Sequence, residues 1–381
     1  MFKDRFRKKV NAQKTAGLHR NPPQVEKRDG KHLIIGGKRM LSFAGNDYLG
    51  LSEDQRLKEI VSSNFAKYGT SSSSSRLVSG NYSVIGEAEA AFAEYFGYDE
   101  ALFFPSGYQC NLGLLSTLFT KGDTVYYDKH IHASSVKGIT LSGASPRGYK
   151  HNRVSHLAKR LGSDTQCQAP VVTESLFSMD GDLLDIEGLG QLKKEHNFLT
   201  VVDEAHAFGA MGEKGKGIAK DVADIAVGTF GKALALFGAF MLLPEGFKEY
   251  ILNFSSPMIY TTTLPEAHAA SAIDLLPIIE GCDDRREHLK NISATMRKRL
   301  TNEGFKVSGD AHIIAVELGE ETKTVEVTQA LFNRNIFVFP ARFPTVPLGR
   351  AIIRVGMTAL HDKKDVKLFI EKLKEACNEV C

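Results

Sequence analysis

Short apolar runs, rich in β-branched and aromatic residues, alternate along the chain with stretches of helical spacing. The runs lie at residues 101–104, 124–127, 170–173, 198–202 and 225–229, and helical stretches lie beside them at 87–96 and 186–196. Strands that are apolar on both faces and alternate with helices are typical of a mainly parallel sheet covered by helices on both sides. The sequence therefore predicts an α/β fold.

A different pattern follows residue 254. Long helical periodicity is succeeded by short strands and a closing helix, at residues 265–280, 285–303, 312–318, 352–355 and 363–380. We expect a large domain over residues 46–254, a smaller α+β domain over 255–381, and an N-terminal arm over 1–45 that packs with the small domain. The helical spacing of Phe2, Phe6 and Val10 predicts that an arm helix packs on the rest of the protein.

Polar residues follow the predicted strands. In folds of this kind, ligands bind at the carboxyl ends of the strands. This rule selects the segments at residues 106–108, 128–132, 174–178, 203–206 and 231–232. A further polar segment, "TSSSSS" at residues 70–75, is either a flexible loop or a loop that faces an anion or a substrate.

One cation, Lys232, lies in the middle of the otherwise apolar segment 225–243. Three explanations compete: a core lysine whose ammonium group reaches water, a membrane span, or a lysine kept uncharged for chemistry. The three glycines of the segment and its central lysine argue against a membrane span. The rest of the chain has to decide between the other two.

Composition excludes several classes of protein. The formal net charge of +3 is too close to balance to indicate a nucleic-acid partner. The cysteines have no C-x-x-C spacing and predict neither a disulfide framework nor a zinc knuckle; they are Cys110, Cys167, Cys282, Cys377 and Cys381. The basic N terminus lacks the apolar stretch of a secretory signal. We expect a cytoplasmic protein with neither a nucleic-acid nor a membrane partner.

Two motif matches at the strand ends point to other classes, and both fail. Asp203 begins the Asp-Glu-Ala-His sequence found in helicases, but the chain has no G-x-x-x-x-G-K-[ST] phosphate loop. A zinc site from His130, His132 and His206 lacks the support of an H-E-x-x-H motif or a cysteine ligand. We expect no metal.

Asp203 and Lys232 follow consecutive predicted strands, so they would lie on two sides of one pocket if those strands are neighbours. A desolvated lysine amine is a nucleophile that forms Schiff bases with aldehydes. Pyridoxal 5'-phosphate needs such a lysine and a carboxylate beside its ring nitrogen. The two residues therefore predict a pyridoxal-phosphate enzyme.

Other residues could complete this cofactor site. The segment "PSGYQCN" at residues 105–111 combines a turn with a helix start, whose N–H groups can bind phosphate. Thr229 could add a hydroxyl group to the phosphate site. Ser178 and His206 could bind the ring oxygen of the cofactor, and His132 could stack on the ring. Each of these residues, taken alone, is more often structural.

Eight segments in order resemble the α-oxoamine synthase family of fold-type I pyridoxal-phosphate enzymes. They are "SFAGNDYLGLS" (42–52), "SRLVSGN" (75–81), "PSGYQCN" (105–111), "TESLFSMDGD" (173–182), "VVDEAHAFG" (201–209), "TFGKA" (229–233), "IYTTTLP" (259–265) and "FPTVPLGRAIIRVGMTALH" (343–361). The resemblance covers nearly the whole chain. It implies a mainly parallel seven-stranded sheet in the large domain and a smaller α+β C-terminal domain.

The resemblance also implies roles at the cofactor. Lys232 would bind pyridoxal 5'-phosphate covalently, and Asp203 would pair with its ring nitrogen. The residues around the ring and its oxygen would be His132, Ala205, Ser178 and His206. The residues at the phosphate would be Gly107, Tyr108, Thr229 and, from a partner subunit, Thr261 or Thr262. A homodimer with active sites at the subunit interface follows from this resemblance.

The substrates implied by the resemblance are an amino acid and an acyl-CoA or acyl-carrier-protein thioester, condensed with loss of carbon dioxide. Asn46 and Arg354 match positions that bind the amino-acid carboxylate, which a planar guanidinium suits. Thr345 matches a substrate-contacting position. Arg20 lies beside His19, where the family has an arginine near the acyl chain. His132 would donate a hydrogen bond to the thioester oxygen.

The chain departs from the family pattern at two further places. "TSSSSS" stands where glycine-rich loops are usual, and Leu234 and Ala235 stand where the family often has a bulky residue followed by glycine. The alternative to an enzyme is a protein of the same fold that binds the cofactor without catalysis. Retention of Lys232, Asp203 and His132 together argues for the enzyme.

Overall fold

The computed structural model describes residues 2–162 and 169–380 of the chain. The chain forms two compact units. The first, here called the terminal unit, contains residues 1–50, 178–182 and 287–381, and the second, the central unit, contains residues 51–177 and 183–286. Cys167 and Cys381 lie outside the described residues.

The strands differ in length from two residues to seven. In chain order they are β1 (Lys27–Asp29), β2 (His32–Ile35), β3 (Lys38–Ser42), β4 (Glu100–Phe104), β5 (Thr124–Asp128), β6 (Ser145–Tyr149), β7 (Val171–Glu174), β8 (Thr200–Asp203), β9 (Ile225–Thr229), β10 (Ala239–Leu243), β11 (Val307–Ser308), β12 (Ile313–Gly319), β13 (Ile336–Phe337), β14 (Phe339–Ala341) and β15 (Ala351–Gly356).

The α-helices connect these strands. In chain order they are α1 (Phe2–Thr15), α2 (Gln55–Tyr68), α3 (Ser83–Phe96), α4 (Gly107–Leu118), α5 (Ala133–Ser142), α6 (Val154–Leu161), α7 (Ile186–His196), α8 (Phe247–Phe254), α9 (Ser256–Ile259), α10 (Glu266–Glu280), α11 (Asp283–Asn302), α12 (Glu321–Asn333) and α13 (Lys363–Val380). A π-helical turn at Arg76–Gly80 precedes α3.

The central unit is built on a seven-stranded sheet with the order β4-β10-β9-β8-β7-β5-β6. Strand β10 runs antiparallel to both of its neighbours, and the other pairs are parallel. The predicted mainly parallel seven-stranded sheet is therefore confirmed. Strands β8 and β9 are neighbours, with Asp203 opposite Val227, so the residues that follow them share one edge of the sheet.

The core of the central unit explains why its strands are apolar on both faces. On one face, Leu102, Val125, Val172, Val201 and Val227 are buried in one cluster with residues of helices α4 and α5. On the other face, Phe103 and Phe240 are buried against Phe92 of α3. A strand covered on both sides cannot alternate between apolar and polar residues, so the continuous apolar runs were a reliable strand signal. All five predicted runs coincide with strands to within two residues at each end.

Two strands of this sheet were not predicted from the sequence. Strand β10 occupies the second half of the apolar segment around Lys232, and all five of its residues are buried. The loop that reverses the chain there, between Phe230 and Gly238, contains no Pro or Asn that would have predicted it. Strand β6 is an edge strand with mostly exposed residues, so it carries no apolar run.

The terminal unit contains two smaller sheets. The first has the order β1-β2-β3-β13, and the second has the order β11-β12-β15-β14. Helices α12 and α13 pack against each other, and α13 buries Val366, Phe369, Ile370 and Leu373 along one face. The predicted closing helix at residues 363–380 coincides with α13.

The compact units divide at different residues from the predicted domains. Residues 255–286, which the sequence analysis placed in the C-terminal domain, belong to the central unit. The reason is helix α10, which packs against α2 and α3 of that unit. A change from strand-rich to helix-rich pattern therefore did not mark the boundary of a compact unit.

The packing predicted for the N-terminal arm stays a prediction, because its helix is exposed in the single chain. The apolar spacing does form a helix, α1, but none of its residues is buried. Phe2, Phe6 and Val10 are 70%, 54% and 46% exposed. The chain after it does join the terminal unit, because β3 pairs with β13.

The sequence predicted no membrane-spanning segment. Among the described residues, no helix combines the length and the apolar composition that crossing a bilayer requires.

Acid should destabilise the protein through His361 of the terminal unit. Its Nδ1 accepts the N–H of Thr358 and its Nε2 donates to the carbonyl of Ser42, so only the neutral ring satisfies both bonds. Burial lowers the pKa of His361 from 6.5 to about 4. The unfolded chain therefore binds more protons below pH 6.5, and stability present above that pH is lost as the pH falls.

The expected loss between pH 7 and pH 4.5 is about 2.5 kcal/mol from this group. We expect the free energy of unfolding in urea to fall by that much more in the unmodified protein than in His361→Gln over the same range. The exposed His19 offers a matched control, because His19→Gln should keep the full pH dependence. An equal pH dependence in all three proteins would contradict the assignment.

Candidate active site

Asp203 lies at the carboxyl end of β8, where the parallel strands of the central unit end. Its Oδ1 accepts the backbone N–H of Ala205 at 2.9 Å, and its Oδ2 accepts from Nδ2 of Asn111 at 2.8 Å. Among the described residues Asp203 forms no ion pair, so nothing in this part of the chain neutralises its charge. A carboxylate in this state can bind a protonated ring nitrogen.

Asn111 connects this carboxylate to the histidine predicted to stack on the cofactor. Its Nδ2 lies 3.1 Å from Oγ of Ser134, and that oxygen lies 2.7 Å from Nδ1 of His132. Asn111 and Ser134 are 3% and 0% exposed. The sequence analysis gave neither residue a role, although Asn111 closes the "PSGYQCN" segment. Polar residues buried inside helix starts carry no distinctive spacing, so only the structure reveals the connection.

His132 is the N-cap residue of α5, and its ring Nδ1 also accepts the backbone N–H of Ser134 at 3.3 Å. Its own backbone N–H donates to the buried carboxylate of Glu174 at the end of β7, at 2.5 Å. Burial lowers the pKa of His132, and nearby Lys232 lowers it further while Asp203 opposes the change. His132 is therefore a neutral imidazole held at both its ring and its backbone.

Lys232 follows β9 on the loop that leads into β10. Its Nζ lies 2.9 Å from Nε2 of His206, and its side chain is half-buried. The loop is closed by hydrogen bonds from the N–H of Phe230 to the carbonyl of Gly238 and from the N–H of Leu236 to the carbonyl of Phe230. The predicted proximity of Lys232 to the end of β8 is thus achieved through His206, three residues after Asp203.

Ala235 on this loop has φ of 54°, a left-handed conformation. Such a conformation costs an alanine roughly 1 kcal/mol more than a glycine. The Leu234 side chain before it is buried beside Gly209. These two residues stand where the family often has a bulky residue followed by glycine. Leu234 is therefore a core residue, and Ala235 is under mild backbone strain.

The start of α4 offers donors for an anion. Ser106 caps the helix by accepting the N–H of Gln109, which leaves the N–H groups of Gly107 and Tyr108 without an acceptor among the described residues. A side chain at Gly107 would lie 4.0 Å from Oγ1 of Thr229, so this hydroxyl borders the helix start. That hydroxyl donates to the carbonyl of Gly238 at 2.9 Å in this structure. The two N–H groups and the helix N-terminus suit a phosphate group.

Thr261 and Thr262 lie after α9 in a segment that pairs with the serine-rich stretch. Ser75 and Thr262 form an antiparallel bridge, and the N–H of Thr263 donates to the carbonyl of Ser74. Ser72 is buried and donates to the carbonyl of Thr263 at 2.8 Å. The stretch at residues 70–75 is therefore hydrogen-bonded to its neighbour rather than a free polar loop, while Thr262 itself is exposed.

Arg354, on β15 of the terminal unit, is 4% exposed. Its Nε donates to the carbonyl of Ser178 at 2.6 Å, and its Nη2 donates to Oδ1 of Asn46 at 3.2 Å and lies 3.5 Å from the hydroxyl of Tyr48. All of these acceptors are uncharged. Among the described residues this buried guanidinium has no acidic partner, which is the condition under which a carboxylate ligand is bound well.

Tyr48 was not singled out in the sequence, yet it holds this group together. Its hydroxyl donates to Oδ1 of Asn46 at 3.1 Å, and its ring packs on that of His312 with centroids 4.0 Å apart. Burial raises the pKa of Tyr48, so the hydroxyl keeps its proton. Both donors meet the same oxygen of Asn46, and among the described residues no acceptor meets its amide nitrogen, so that nitrogen is available to a ligand.

Arg20 and Thr345, the remaining predicted substrate residues, belong to neighbouring segments of the terminal unit. Arg342 donates to the carbonyls of Gly17 and His19, and its own carbonyl accepts the N–H of Thr345. Burial and the charge of Arg20 lower the pKa of Arg342. The sequence analysis missed Arg342, which connects the two segments.

Two further residues have local roles. His130, considered for a metal site, stacks on His151 with ring centroids 3.9 Å apart. Cys110 is fully buried near Asp203, and burial raises its pKa well above the usual range, so its thiol is not a nucleophile.

Known proteins match this chain along most of its length. The family model for aminotransferase class I and II matches residues 38–373. A Chlorobaculum parvum protein named 8-amino-7-oxononanoate synthase is 36% identical over 354 residues, which cover 90% of each chain. The solved structure of Sphingomonas wittichii serine palmitoyltransferase has 28% identity and a TM-score of 0.91, covering 100% of this chain and 98% of that one. The structure of 8-amino-7-oxononanoate synthase from Francisella tularensis has 30% identity and a TM-score of 0.78, covering 90% and 99%.

The chain belongs to the aminotransferase class I and II family and, within it, to the α-oxoamine synthases. It is a pyridoxal-phosphate-dependent acyltransferase, so the resemblance seen in the sequence is confirmed. The central unit fits the cofactor: Asp203 offers an uncompensated carboxylate for the ring nitrogen, and the start of α4 offers free N–H groups for the phosphate. Lys232 offers the amine for the aldehyde.

Two buried arginines should respond differently to removal of their charge. Arg76 donates to the fully buried carboxylate of Glu89, at 3.2 Å from Nη2 to Oε2, whereas Arg354 has only uncharged acceptors. Glu89 also pairs with Nζ of Lys248 at 2.8 Å, so it keeps one cation when Arg76 is removed. Losing hydrogen bonds to a charged group in this way costs roughly 2 kcal/mol. We expect Arg76→Met to lower the free energy of unfolding of the cofactor-free protein by about that amount, and Arg354→Met by less than half as much.

Urea unfolding of the two variants and the unmodified protein would measure both effects. If Arg354→Met destabilised the protein as strongly as Arg76→Met, then Arg354 would be a structural ion-pair partner and not a group kept free for a ligand.

Proposed function

We propose that the enzyme condenses L-alanine with pimeloyl-CoA or pimeloyl-acyl-carrier protein and forms 8-amino-7-oxononanoate, a step of biotin biosynthesis. Carbon dioxide and the free thiol are the other products. The observation that carries this choice of substrates is the 36% identity, over 90% of both chains, with the Chlorobaculum parvum 8-amino-7-oxononanoate synthase.

Residues of the central unit would hold the cofactor. Lys232 would bind its aldehyde, Asp203 its ring nitrogen, and the start of α4 with Thr229 its phosphate; Ala205 and His132 would flank the ring and His206 would bind its phenolic oxygen. Ser178, which belongs to the terminal unit, is proposed for the same oxygen from the resemblance alone. When bound, the cofactor supplies a conjugated ring that accepts the electrons released at the α-carbon of the substrate.

Arg354 and Asn46 would bind the carboxylate of the amino acid. The support is the buried guanidinium without an acidic partner and the amide nitrogen left available by Tyr48. A carboxylate would give the guanidinium the charged partner that it lacks among the described residues. Arg20 and Thr345 are proposed for the acyl substrate, with Arg342 fixing the two segments that carry them.

Lys232 and His132 would move and stabilise charge during the reaction. The Lys232 amine, once released from the aldehyde, takes the α-proton of the amino acid and later returns a proton to the product. His132, neutral because burial lowers its pKa, donates a hydrogen bond to the thioester oxygen as that oxygen gains negative charge. The α-carbon that has lost its proton would form a carbon–carbon bond to the thioester carbonyl, whose carbon–sulfur bond would break to release the thiol. Loss of the carboxylate as carbon dioxide and return of a proton to the α-carbon would then leave the amino ketone.

A second candidate is the synthesis of a sphingoid base from serine. The observation in its favour is the TM-score of 0.91 with Sphingomonas wittichii serine palmitoyltransferase, above the 0.78 found with the Francisella tularensis enzyme. Glycine-using members, 5-aminolevulinate synthase and 2-amino-3-ketobutyrate CoA ligase, and autoinducer synthases remain alternatives with the same cofactor residues. Specificity among them depends on pocket volume, where one methylene is worth about 1–3 kcal/mol.

The enzyme would act as a homodimer with active sites at the subunit interface. The central unit exposes large apolar side chains near the Thr262 segment, including Leu77 at 72% and Tyr260 at 81% exposure. Apolar groups this exposed favour burial against a second protein surface. Sedimentation at the monomer mass of 41.9 kDa would contradict the dimer, since we expect twice that mass.

We also propose a cytoplasmic location. Cys110 and Cys282 are free thiols in the described part of the chain. Burial raises the pKa of both Cys110 and Cys282, so these thiols stay protonated and inert. Such cysteines are usual in a reducing compartment.

Product analysis would test the proposed reaction. We expect mass spectrometry of reactions containing a mixture of amino acids and of acyl-CoA or acyl-carrier-protein thioesters to show 8-amino-7-oxononanoate as the main amino ketone. A preference for serine with a long-chain thioester would support the second candidate and contradict the first. If no donor released its thiol in any mixture, the protein would be a cofactor-binding protein without this activity.

A further inference from the structure

A line of hydrogen bonds runs from Asp203 through Asn111 and Ser134 to the ring of His132. Its distances are 2.8 Å from Asp203 to Asn111, 3.1 Å from Asn111 to Ser134, and 2.7 Å from Ser134 to Nδ1 of His132. All four residues belong to the central unit. The two middle residues are buried, so solvent does not compete for these bonds.

The first member of this line fixes the direction of the bond next to it. An ionised carboxylate has only acceptors, so the atom of Asn111 that faces Asp203 must be the amide nitrogen. That nitrogen has a second hydrogen, which it donates to Oγ of Ser134. This oxygen keeps one lone pair and its own hydrogen, so it can either accept from Nδ1 of His132 or donate to it. The line alone therefore leaves two tautomers of the ring.

A second contact decides between the two tautomers. The backbone N–H of Ser134 points at Nδ1 of His132 at 3.3 Å, as the N-cap of α5 requires. A backbone N–H can only donate, so Nδ1 must accept from it, and the hydroxyl of Ser134 then also donates to Nδ1. The ring proton is therefore on Nε2. A proton on Nδ1 would break the backbone bond and reverse the bond to the hydroxyl.

We propose that Ser134 and Asn111 are positioning residues that fix His132 as its Nε2–H tautomer. Among the described residues, Nε2 of His132 makes no hydrogen bond. Its proton is therefore available to a ligand, and the ring presents a donor and not a base. Resting on the proposed function, this explains why His132 would stabilise negative charge on the thioester oxygen while the α-proton is left to Lys232.

The arrangement also connects this donor to the cofactor carboxylate. Asp203 fixes which atom of Asn111 faces Ser134, because a carboxylate can only accept. The carboxylate that binds a protonated ring nitrogen thus also orients the amide that donates to Ser134. One charge would serve both the cofactor and the acyl substrate.

The tautomer can be read in the cofactor-free protein by two-bond ¹H–¹⁵N correlation spectra of ¹⁵N-histidine-labelled samples, with His132→Gln to assign the signal. We expect the unmodified protein to show a protonated Nε2 and an unprotonated Nδ1. In Ser134→Ala, which keeps only the long backbone contact, a population with protonated Nδ1 should appear. A spectrum of the unmodified protein with protonated Nδ1 of His132 overturns the proposal, and this outcome needs no Ser134 or Asn111 variant.

Ser135→Ala is the matched control. Ser135 is the next residue of the same helix and is also buried, but no hydrogen bond joins it to the His132 ring among the described residues. With the holoenzyme, Ser134→Ala should lower kcat of the condensation roughly tenfold, leave KM for the amino acid unchanged, and leave exchange of the α-proton with solvent unchanged. Ser135→Ala should match the unmodified enzyme in all three.

Equal tautomer spectra and equal kcat in Ser134→Ala and Ser135→Ala would overturn the assignment of Ser134. An equal loss of α-proton exchange and of condensation would also overturn it, because a general structural defect affects both steps. Since the spectra need no cofactor or substrate, failure to form any amino ketone would contradict the proposed reaction and leave the tautomer result standing.

Discussion

The carboxylate of Asp203 is the interaction on which the candidate site depends. It lies at the end of a buried parallel strand, accepts one backbone and one side-chain N–H, and has no ion-pair partner among the described residues. A negative charge in this position costs free energy unless a cation completes it. The protonated ring nitrogen of the cofactor is such a cation, and the same carboxylate orients Asn111 and the residues after it.

Each compact unit holds a charged group without an ion-pair partner among the described residues, and the two groups have opposite charges. In the described part of the central unit the half-buried carboxylate of Asp203 has no cation paired with it, and in that of the terminal unit the buried Arg354 has no anion. Charged groups held without an ion-pair partner contribute little to folding and are retained for what they bind. By contrast, Arg76 and Glu89 form a buried ion pair that stabilises the turn before α3, and this pair has no proposed role in the reaction.

The sequence predicted most of the sheet because covered parallel strands leave a distinctive apolar run. It failed where that signal disappears: at the exposed edge strand β6, at the antiparallel β10 hidden in one long apolar segment, and at the three-stranded start of the terminal unit. Helical spacing predicted helix α1 but could not predict how exposed it is, because a period of 3.6 residues does not show what a helix face contacts. Lys232 and Asp203 were identifiable as unusual polar residues at strand ends, whereas Asn111, Ser134 and Tyr48 act through contacts that only folding creates.

The central claim is that the amine of Lys232 binds the aldehyde of pyridoxal phosphate across from Asp203. Reduction of the purified holoenzyme with borohydride, followed by peptide mass spectrometry, tests it most directly. The account predicts the mass of the reduced cofactor on the peptide that contains Lys232 and on no other lysine. An adduct at a different lysine, or a fully loaded protein that gives no adduct at all, would contradict it.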